Sequence, residues 1–175
     1  MELDEEYAYI TTTRRSDDEP IDNGRYIGVD LNTTGHVAVV SNPETGKIWK
    51  LGKEANHIAL KYREIRRMLQ RRGRYRKVKQ IKDRQQRIIR NLNHHISKKI
   101  VRIAKTSKCG IRLEKLTKIL QRAKAASKTF RYSLNNWSFY QLQKMIEYKV
   151  KLHGIAIAYI STHNTPRKHA AGVGM

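Results

Sequence analysis

Apolar and polar positions along the chain first follow the short period of strands. The run RYIGVDLNTTGHVAVV, residues 25–40, contains two strand-like segments on either side of the turn-forming residues 32–35. A second set of turn residues at 42–46 precedes a third candidate strand at 47–51. The pattern predicts three antiparallel strands at the start of the domain.

After Glu54 the apolar period becomes helical. A first stripe recurs at steps of four, three and four, on Ile58, Tyr62, Ile65 and Leu69. Gly73 interrupts it, and a second stripe continues to about Thr106 on Val78, Ile81, Ile88, Leu92, Ile96, Ile100 and Ile103. The spacing predicts a long helical hairpin.

The remaining periodic segments predict a strand, a helix and a strand. The compact run CGIRL, residues 109–113, predicts a buried strand that ends at Glu114. Residues 134–152 show a helical stripe, Gly154 ends it, and residues 155–160 predict a last strand. The segment 115–131 has six bases and no acid, and its pattern predicts no element. An α/β domain with a mixed sheet follows.

Charge is distributed very unevenly over the 175 residues, which carry 37 Lys and Arg against 15 Asp and Glu for a net charge of +22. Residues 1–22 hold eight acids and two bases, and we interpret them as an acidic arm or the remnant of an upstream element. Residues 53–108 hold 20 bases and three acids, the charge pattern of a polyanion binder, although a solvated helical face is the plainer alternative. Nucleic acid is the predicted partner.

Other classes of protein fit the sequence poorly. No apolar run approaches the roughly 18 residues of a membrane span, no secretory signal opens the chain, and the single cysteine, Cys109, excludes a disulfide framework. We therefore expect a cytoplasmic protein that uses no membrane and no small-molecule substrate.

Two of the seven acids beyond residue 22 stand where a solvated charge is unusual. Asp30 ends the first predicted strand, and Glu114 ends the fourth. If these strands are neighbours in one sheet, the carboxylates emerge side by side and can recruit Mg²⁺ for phosphodiester cleavage. The residues alone leave a structural interpretation equally open, in which Asp30 starts a turn and Glu114 caps an element or pairs with a lysine.

Several blocks in order give the chain a specific resemblance to a known family. YIGVDLNTTGHVAVV, the basic hairpin, GIRLEKLTKI and NNWSFYQLQKMIEYKVKLHGIAIAYI closely resemble the RuvC-like nuclease region of TnpB proteins, which insertion sequences encode. The resemblance covers about residues 25–160. It implies an RNase H-like (RuvC-like) fold, guide RNA and DNA as partners, and metal-dependent DNA cleavage involved in transposition and recombination.

By motif, the resemblance makes Asp30 and Glu114 the first two catalytic, Mg²⁺-holding acids. The basic hairpin would contact phosphate backbones through Arg66, Arg67, Arg71, Arg72, Arg74, Arg76, Lys77, Lys79, Arg84 and Arg87. The family's third acid and its zinc-binding cysteines have no counterpart, because neither residue type follows Glu147. Without the third acid, the alternative is a catalytically dead nucleic-acid-binding remnant.

We accordingly expect a RuvC-like domain over residues 23–161, an insertion at about 54–107, and an aberrant tail over 162–175 that leaves the fold incomplete at the C-terminus. A back-translation of TPRKHAAGVGM, read in another frame, yields TSKTCSRCGH, which contains the first half of a zinc ribbon. This motivates the hypothesis of a truncated or frameshifted gene.

Histidine and aromatic residues are further candidates, as metal ligands and as base-stacking side chains respectively. His94 and His95 lie in a basic helix without a ligand partner, and His153, His163 and His169 have no zinc-site spacing. Trp137, Phe139 and Tyr140 could stack on bases, but their helical spacing favours the core.

Overall fold

The computed structural model describes residues 2–3, 8–9, 23–31, 35–114 and 139–160. Within the acidic arm, β1 (Glu2–Leu3) pairs with β2 (Ala8–Tyr9) in a two-stranded ladder. The basic segment 115–131, the start of the predicted helix at 134–138 and the tail 162–175 lie outside the described residues.

The main sheet has five strands: β3 (Tyr26–Leu31), β4 (Ala38–Ser41), β5 (Ile48–Leu51), β6 (Gly110–Glu114) and β7 (Ile157–Ile160). Their order across the sheet is β5-β4-β3-β6-β7. The first three are antiparallel, as predicted, whereas β6 runs parallel to both β3 and β7. This confirms the predicted α/β mixed sheet.

Within the described ranges, three helices accompany the sheet: α1 (Glu54–Arg71), α2 (Tyr75–Ser107) and α3 (Phe139–Leu152). The first two form the predicted hairpin between β5 and β6, and α2 is about 50 Å long at 1.5 Å per residue. The third lies between β6 and β7, so these elements form a parallel β-α-β unit. None of the described helices combines the length and apolar character needed to cross a membrane.

One face of the sheet carries the core. Alternate residues of β3 (Ile27, Val29 and Leu31) are buried together with Ile111 and Leu113 of β6. The covering side chains come from the C-terminal half of α2 and from α3: Ile96, Ile100, Val101, Ala104, Leu142, Ile146 and Val150. Because side chains alternate along a strand, the residues between them face the opposite side of the sheet.

The predicted stripe of α2 is only partly correct. Ile96 and Ile100 are buried, but Ile88, Leu92 and Ile103 lie at its margins and are half-buried. Polar residues take their place, since Gln85, Asn93 and Ser97 are buried along the helix. Each has a partner on another helix: Arg66 donates to Gln85, Asn93 donates to Gln141, and Lys149 donates to Ser97.

Candidate functional site

Asp30 and Glu114 end neighbouring parallel strands. The register between β3 and β6 advances in step from Tyr26 opposite Gly110 to Val29 opposite Leu113. Asp30 and Glu114 are the next residues on the two strands. Adjacent strands lie about 4.8 Å apart, so the register places the two carboxyl-bearing residues side by side.

Both residues belong to the sheet face opposite the core. Asp30 follows buried Val29 and is exposed, whereas Glu114 follows buried Leu113 and is half-buried. Asp30 also pairs with Val39 of β4, and Glu114 pairs with Ile160 of β7, so both stand within the sheet rather than at its outer strands. Solvent and a ligand can reach the pair from this face.

A cation lies on the same face of the sheet as the two carboxylates. Arg112 lies two residues before Glu114 on the same face, and its guanidinium carbon is 4.5 Å from the centre of the Tyr26 ring. Tyr26 in turn lies over Gly110, where an added Cβ would be 2.6 Å from the ring. This cation–π contact holds the Arg112 guanidinium over Tyr26, toward the end of the two strands where Tyr26 pairs with Gly110.

The ion pairs of the described residues bear on the structural interpretation of the two acids. Neither carboxylate forms an ion pair with another described residue, so the lysine partner suggested for Glu114 is not among them. The turn residues 32–34 and the segment after Glu114 lie outside the described residues.

The ten predicted phosphate-contacting residues fall along the two helices of the hairpin and the turn between them. Nine are exposed; Arg66 is half-buried and donates its Nη1 proton to the Gln85 side chain. Arg67 lies 3.5 Å from Glu64, a distance typical of a weak surface ion pair. The tip of the hairpin, residues 71–77, is exposed throughout.

His94 and His95 lie on α2, whereas His163 and His169 lie outside the described residues. Burial, and then the positive charges of Lys149, Arg90 and His95, lower the pKa of His94, whose Nδ1 lies 3.5 Å from the Tyr148 hydroxyl. Across the described part of the chain, no three His, Cys, Asp or Glu side chains cluster closely enough to bind a metal.

The aromatic residues at the start of α3 differ in their burial. Phe139 is buried in the core, as predicted, but Tyr140 is 65% exposed, so its assignment to the core is wrong. Its ring lies 5.5 Å from the Lys144 ammonium, one turn further along the helix. Trp137 lies outside the described residues.

Comparison with known proteins supports both the fold and the resemblance. No protein-family profile matches the sequence. A TnpB-like protein of Methanocaldococcus jannaschii is 36% identical over 84 residues, which are 48% of this chain and 30% of that protein. The resemblance to TnpB proteins is thereby confirmed.

Two solved structures share the fold. The chain superposes on a Cas12f1–sgRNA–target DNA complex with a TM-score of 0.60 at 19% identity, over 79% of this chain and 35% of the other. It superposes on a CRISPR-Cas12f ternary complex with a TM-score of 0.65 at 18% identity, over 87% and 31%. The chain thus spans about a third of the length of these relatives.

Proposed function

We propose that this chain is the RuvC-like nuclease region of a TnpB-like, transposon-encoded protein and that it cleaves DNA. The observation that carries the proposal is the parallel register of β3 and β6, which sets Asp30 beside Glu114. We assign the domain to residues 23–161 and the inserted hairpin to about 54–107. The TnpB-like relative and the shared Cas12f fold support this assignment.

The acidic pair is suited to Mg²⁺. Carboxylate oxygens are hard ligands, and Mg²⁺ commonly binds through one or two carboxylates while keeping several waters. Asp30 and Glu114 would hold the ion on the open face of the sheet, where water and a phosphate also have access. When bound, Mg²⁺ supplies an activated water and stabilises charge on phosphate oxygens.

The chain's own residues perform the remaining tasks. Two adjacent carboxylates repel each other, and this repulsion favours capture of a cation between them. Arg112, anchored over Tyr26, is placed to attract a phosphate toward the same face. The exposed cations of the hairpin bind the backbone of a nucleic acid and raise its local concentration at the domain.

DNA and guide RNA are the partners in this proposal. The Cas12f structures are complexes with sgRNA and target DNA, or a ternary complex, as their names state. The cation-rich hairpin of this chain matches the charge of either polymer, and α2 alone carries eleven Lys and Arg against one acid.

The test is nicking of supercoiled plasmid in the presence of Mg²⁺, with EDTA as the first control. Wild type should nick, and Asp30→Ala and Glu114→Ala should each lower the rate at least about 100-fold, since loss of a metal ligand exceeds the usual cost of an outer-shell change. Asp30→Asn and Glu114→Gln, which keep the side-chain shape, should behave in the same way. Glu64→Gln on α1 is the matched control and should nick normally.

A second function is a nucleic-acid-binding module without cleavage. It is favoured by one observation: among the described residues only two acids meet, and they form no larger cluster. Wild-type protein that binds DNA but does not nick it with Mg²⁺ or Mn²⁺ would select this second function.

A further inference from the structure

A groove runs between the sheet edge and the C-terminal half of α2, away from Asp30 and Glu114. Its volume is about 550 Å³, within the range of ligand clefts. Eight of the described residues line it: Trp49, His95, Lys98, Lys99, Arg102, Ile103, Thr106 and Ser107. The groove is separate from the tip of the hairpin and from the acidic pair.

The helical wall of the groove is strongly basic. His95, Lys98, Lys99 and Arg102 follow one another at steps of three, one and three, so they share one side of α2. All four are exposed. Among the described residues, no carboxylate lines the groove and none forms an ion pair with these cations. Two lysines and an arginine within two turns fit a polyanion.

The opposite wall is aromatic. Trp49 lies on β5, the edge strand, opposite fully buried Val40, so its indole is on the core face of the sheet. It is half-buried and packs against the core, which fixes it in place. Ile103 of α2 adds an apolar surface beside it. The groove therefore combines a rigid aromatic surface with a row of cations.

We propose that this groove binds a single-stranded segment of nucleic acid, with a base stacked on Trp49 and the flanking phosphates held by Lys98, Lys99 and Arg102. Aromatic surfaces and basic tracks are the two components of single-strand binding sites. A duplex does not fit this arrangement, because its bases are already stacked on one another. The inference deepens the proposed function by assigning a second contact for its polynucleotide, and it requires no cleavage.

The groove and the cleavage site face opposite sides of the sheet. Trp49 shares its face with Val40 and the core, whereas Asp30 shares its face with Val39. A nucleic-acid strand bound in the groove is therefore not positioned to be cut at Asp30 and Glu114. The groove instead anchors the protein on a nucleic-acid strand that stays intact.

Tryptophan fluorescence tests the proposal directly. The chain has two tryptophans, so in a Trp137→Phe background all of the tryptophan fluorescence comes from Trp49. Titration with a twelve-nucleotide oligothymidylate should quench Trp49 saturably, and a duplex of the same length should not. Combined substitution of Lys98, Lys99 and Arg102 by alanine should weaken binding and lower the salt slope by about 2, at about 0.7 per phosphate contact on a single strand.

A matched triple variant separates the groove from general charge. Combined substitution of Arg76, Lys77 and Lys79 by alanine removes the same charge from the hairpin, and it should leave the quenching of Trp49 per bound oligonucleotide unchanged. Trp49→Leu should weaken binding about five- to a hundred-fold, and Trp49→Phe should lose less, because phenylalanine still stacks. Binding by anisotropy in the wild-type background gives the same comparison if Trp137→Phe folds poorly.

Three results would overturn the proposal: oligonucleotide that binds without changing Trp49 emission, equal losses of oligonucleotide affinity in the two triple variants, or no binding of the oligonucleotide. A Trp49 that is shielded from acrylamide before any nucleic acid is added would show that another part of the chain fills the groove. Plasmid nicking that survives these results would leave the proposed function standing, since it depends on Asp30 and Glu114 instead.

Discussion

Gly110 determines how the open face of the sheet is built at its centre. With no side chain of its own, it lets the Tyr26 ring lie across β6, and the ring in turn carries the Arg112 guanidinium at 4.5 Å. Its other neighbour is the carbonyl oxygen of Ala156, which would be 3.1 Å from an added Cβ. A single missing methyl group thus lets the Tyr26 ring and the Arg112 guanidinium pack on this face of β6.

Substitution of Gly110 by alanine should destabilise the domain by about 1 to 3 kcal/mol, the usual cost of overpacking, because both the ring and backbone must move. Urea denaturation measures this free energy of unfolding. Gly28→Ala is the control, since its Cβ would meet only the Ser41 hydroxyl at 3.1 Å, and that hydroxyl can rotate. Equal losses in the two variants would contradict the role given to Gly110.

At this scale the sequence predicted the positions of Asp30 and Glu114 on their strands, and it placed one aromatic residue wrongly. Asp30 and Glu114 stood out because acids are scarce beyond residue 22 and both follow apolar strand residues. Tyr140 was placed in the core because helical spacing alone does not separate a buried stripe from its margin. The packing of Tyr26 on Gly110 could not be predicted, because it depends on which strands are neighbours.

At the scale of elements, a carboxylate fastens α3 to β7. Glu147 accepts hydrogen bonds from Gln143 at 3.0 Å, from Lys144 at 2.8 Å and from the Tyr159 hydroxyl of β7. Burial raises the pKa of Glu147, but the three donors outweigh it, and the pKa lies below its usual value. Burial, with the hydrogen bond to Glu147, raises the pKa of Tyr159 to about 12.

Glu147→Gln should lower the free energy of unfolding by about 1 kcal/mol at neutral pH, since hydrogen bonds to a charged group are lost. The folded protein binds this proton less readily than the unfolded chain, so the stabilisation is complete above a pH of about 4.5 and is lost as the pH falls through the depressed pKa. Urea denaturation from pH 7 to 3 should show a smaller decline of the free energy of unfolding in the variant than in wild type.

The same substitution at Glu64 is the control for that experiment. Its contacts with Arg63 and Arg67 are both 3.5 Å long, and its side chain is 60% exposed, so Glu64→Gln should change stability little. If Glu147→Gln and Glu64→Gln had the same free energy of unfolding at every pH, Glu147 would not contribute to holding α3 against β7.

The helical elements were predicted closely in extent and less closely in what they bury. The hairpin, its break at Gly73 and its end near Ser107 follow from the period of apolar residues. The burial of Gln85, Asn93 and Ser97 does not follow from that period, because each depends on a donor or acceptor from another helix. Sequence period identifies apolar stripes, whereas polar contacts between helices require the assembled fold.

At the scale of the whole molecule, the net charge of +22 is concentrated on the hairpin. Binding of duplex DNA should weaken steeply with salt, and Lys77→Ala combined with Lys79→Ala should make the slope of log K against log salt shallower by about 2. Arg25→Ala combined with Lys144→Ala is the control, because Glu44 and Glu147 already pair with these cations. Fluorescence anisotropy at several salt concentrations gives both slopes, and identical slopes would exclude the hairpin as the DNA-binding surface.

The order of strands was the part of the fold that pattern analysis left conditional. Hydrophobic runs predicted the strands, but they did not determine that β6 inserts beside β3 rather than beside β5. The resemblance to TnpB proteins implied an RNase H-like fold with Asp30 and Glu114 in one site, but no strand order was predicted. The juxtaposition of Asp30 and Glu114 across 84 positions is a consequence of topology, and local sequence contains no signal for it.

If Asp30 and Glu114 form a single cation site, Mn²⁺ binding followed by electron paramagnetic resonance will detect it. Wild type should bind Mn²⁺ at a site that Asp30→Asn and Glu114→Gln each weaken about tenfold or more, with the double variant little worse than either, because both remove the same site. Glu64→Gln should bind as wild type does. Equal Mn²⁺ affinity in wild type and the double variant would show that Asp30 and Glu114 do not form a cation site.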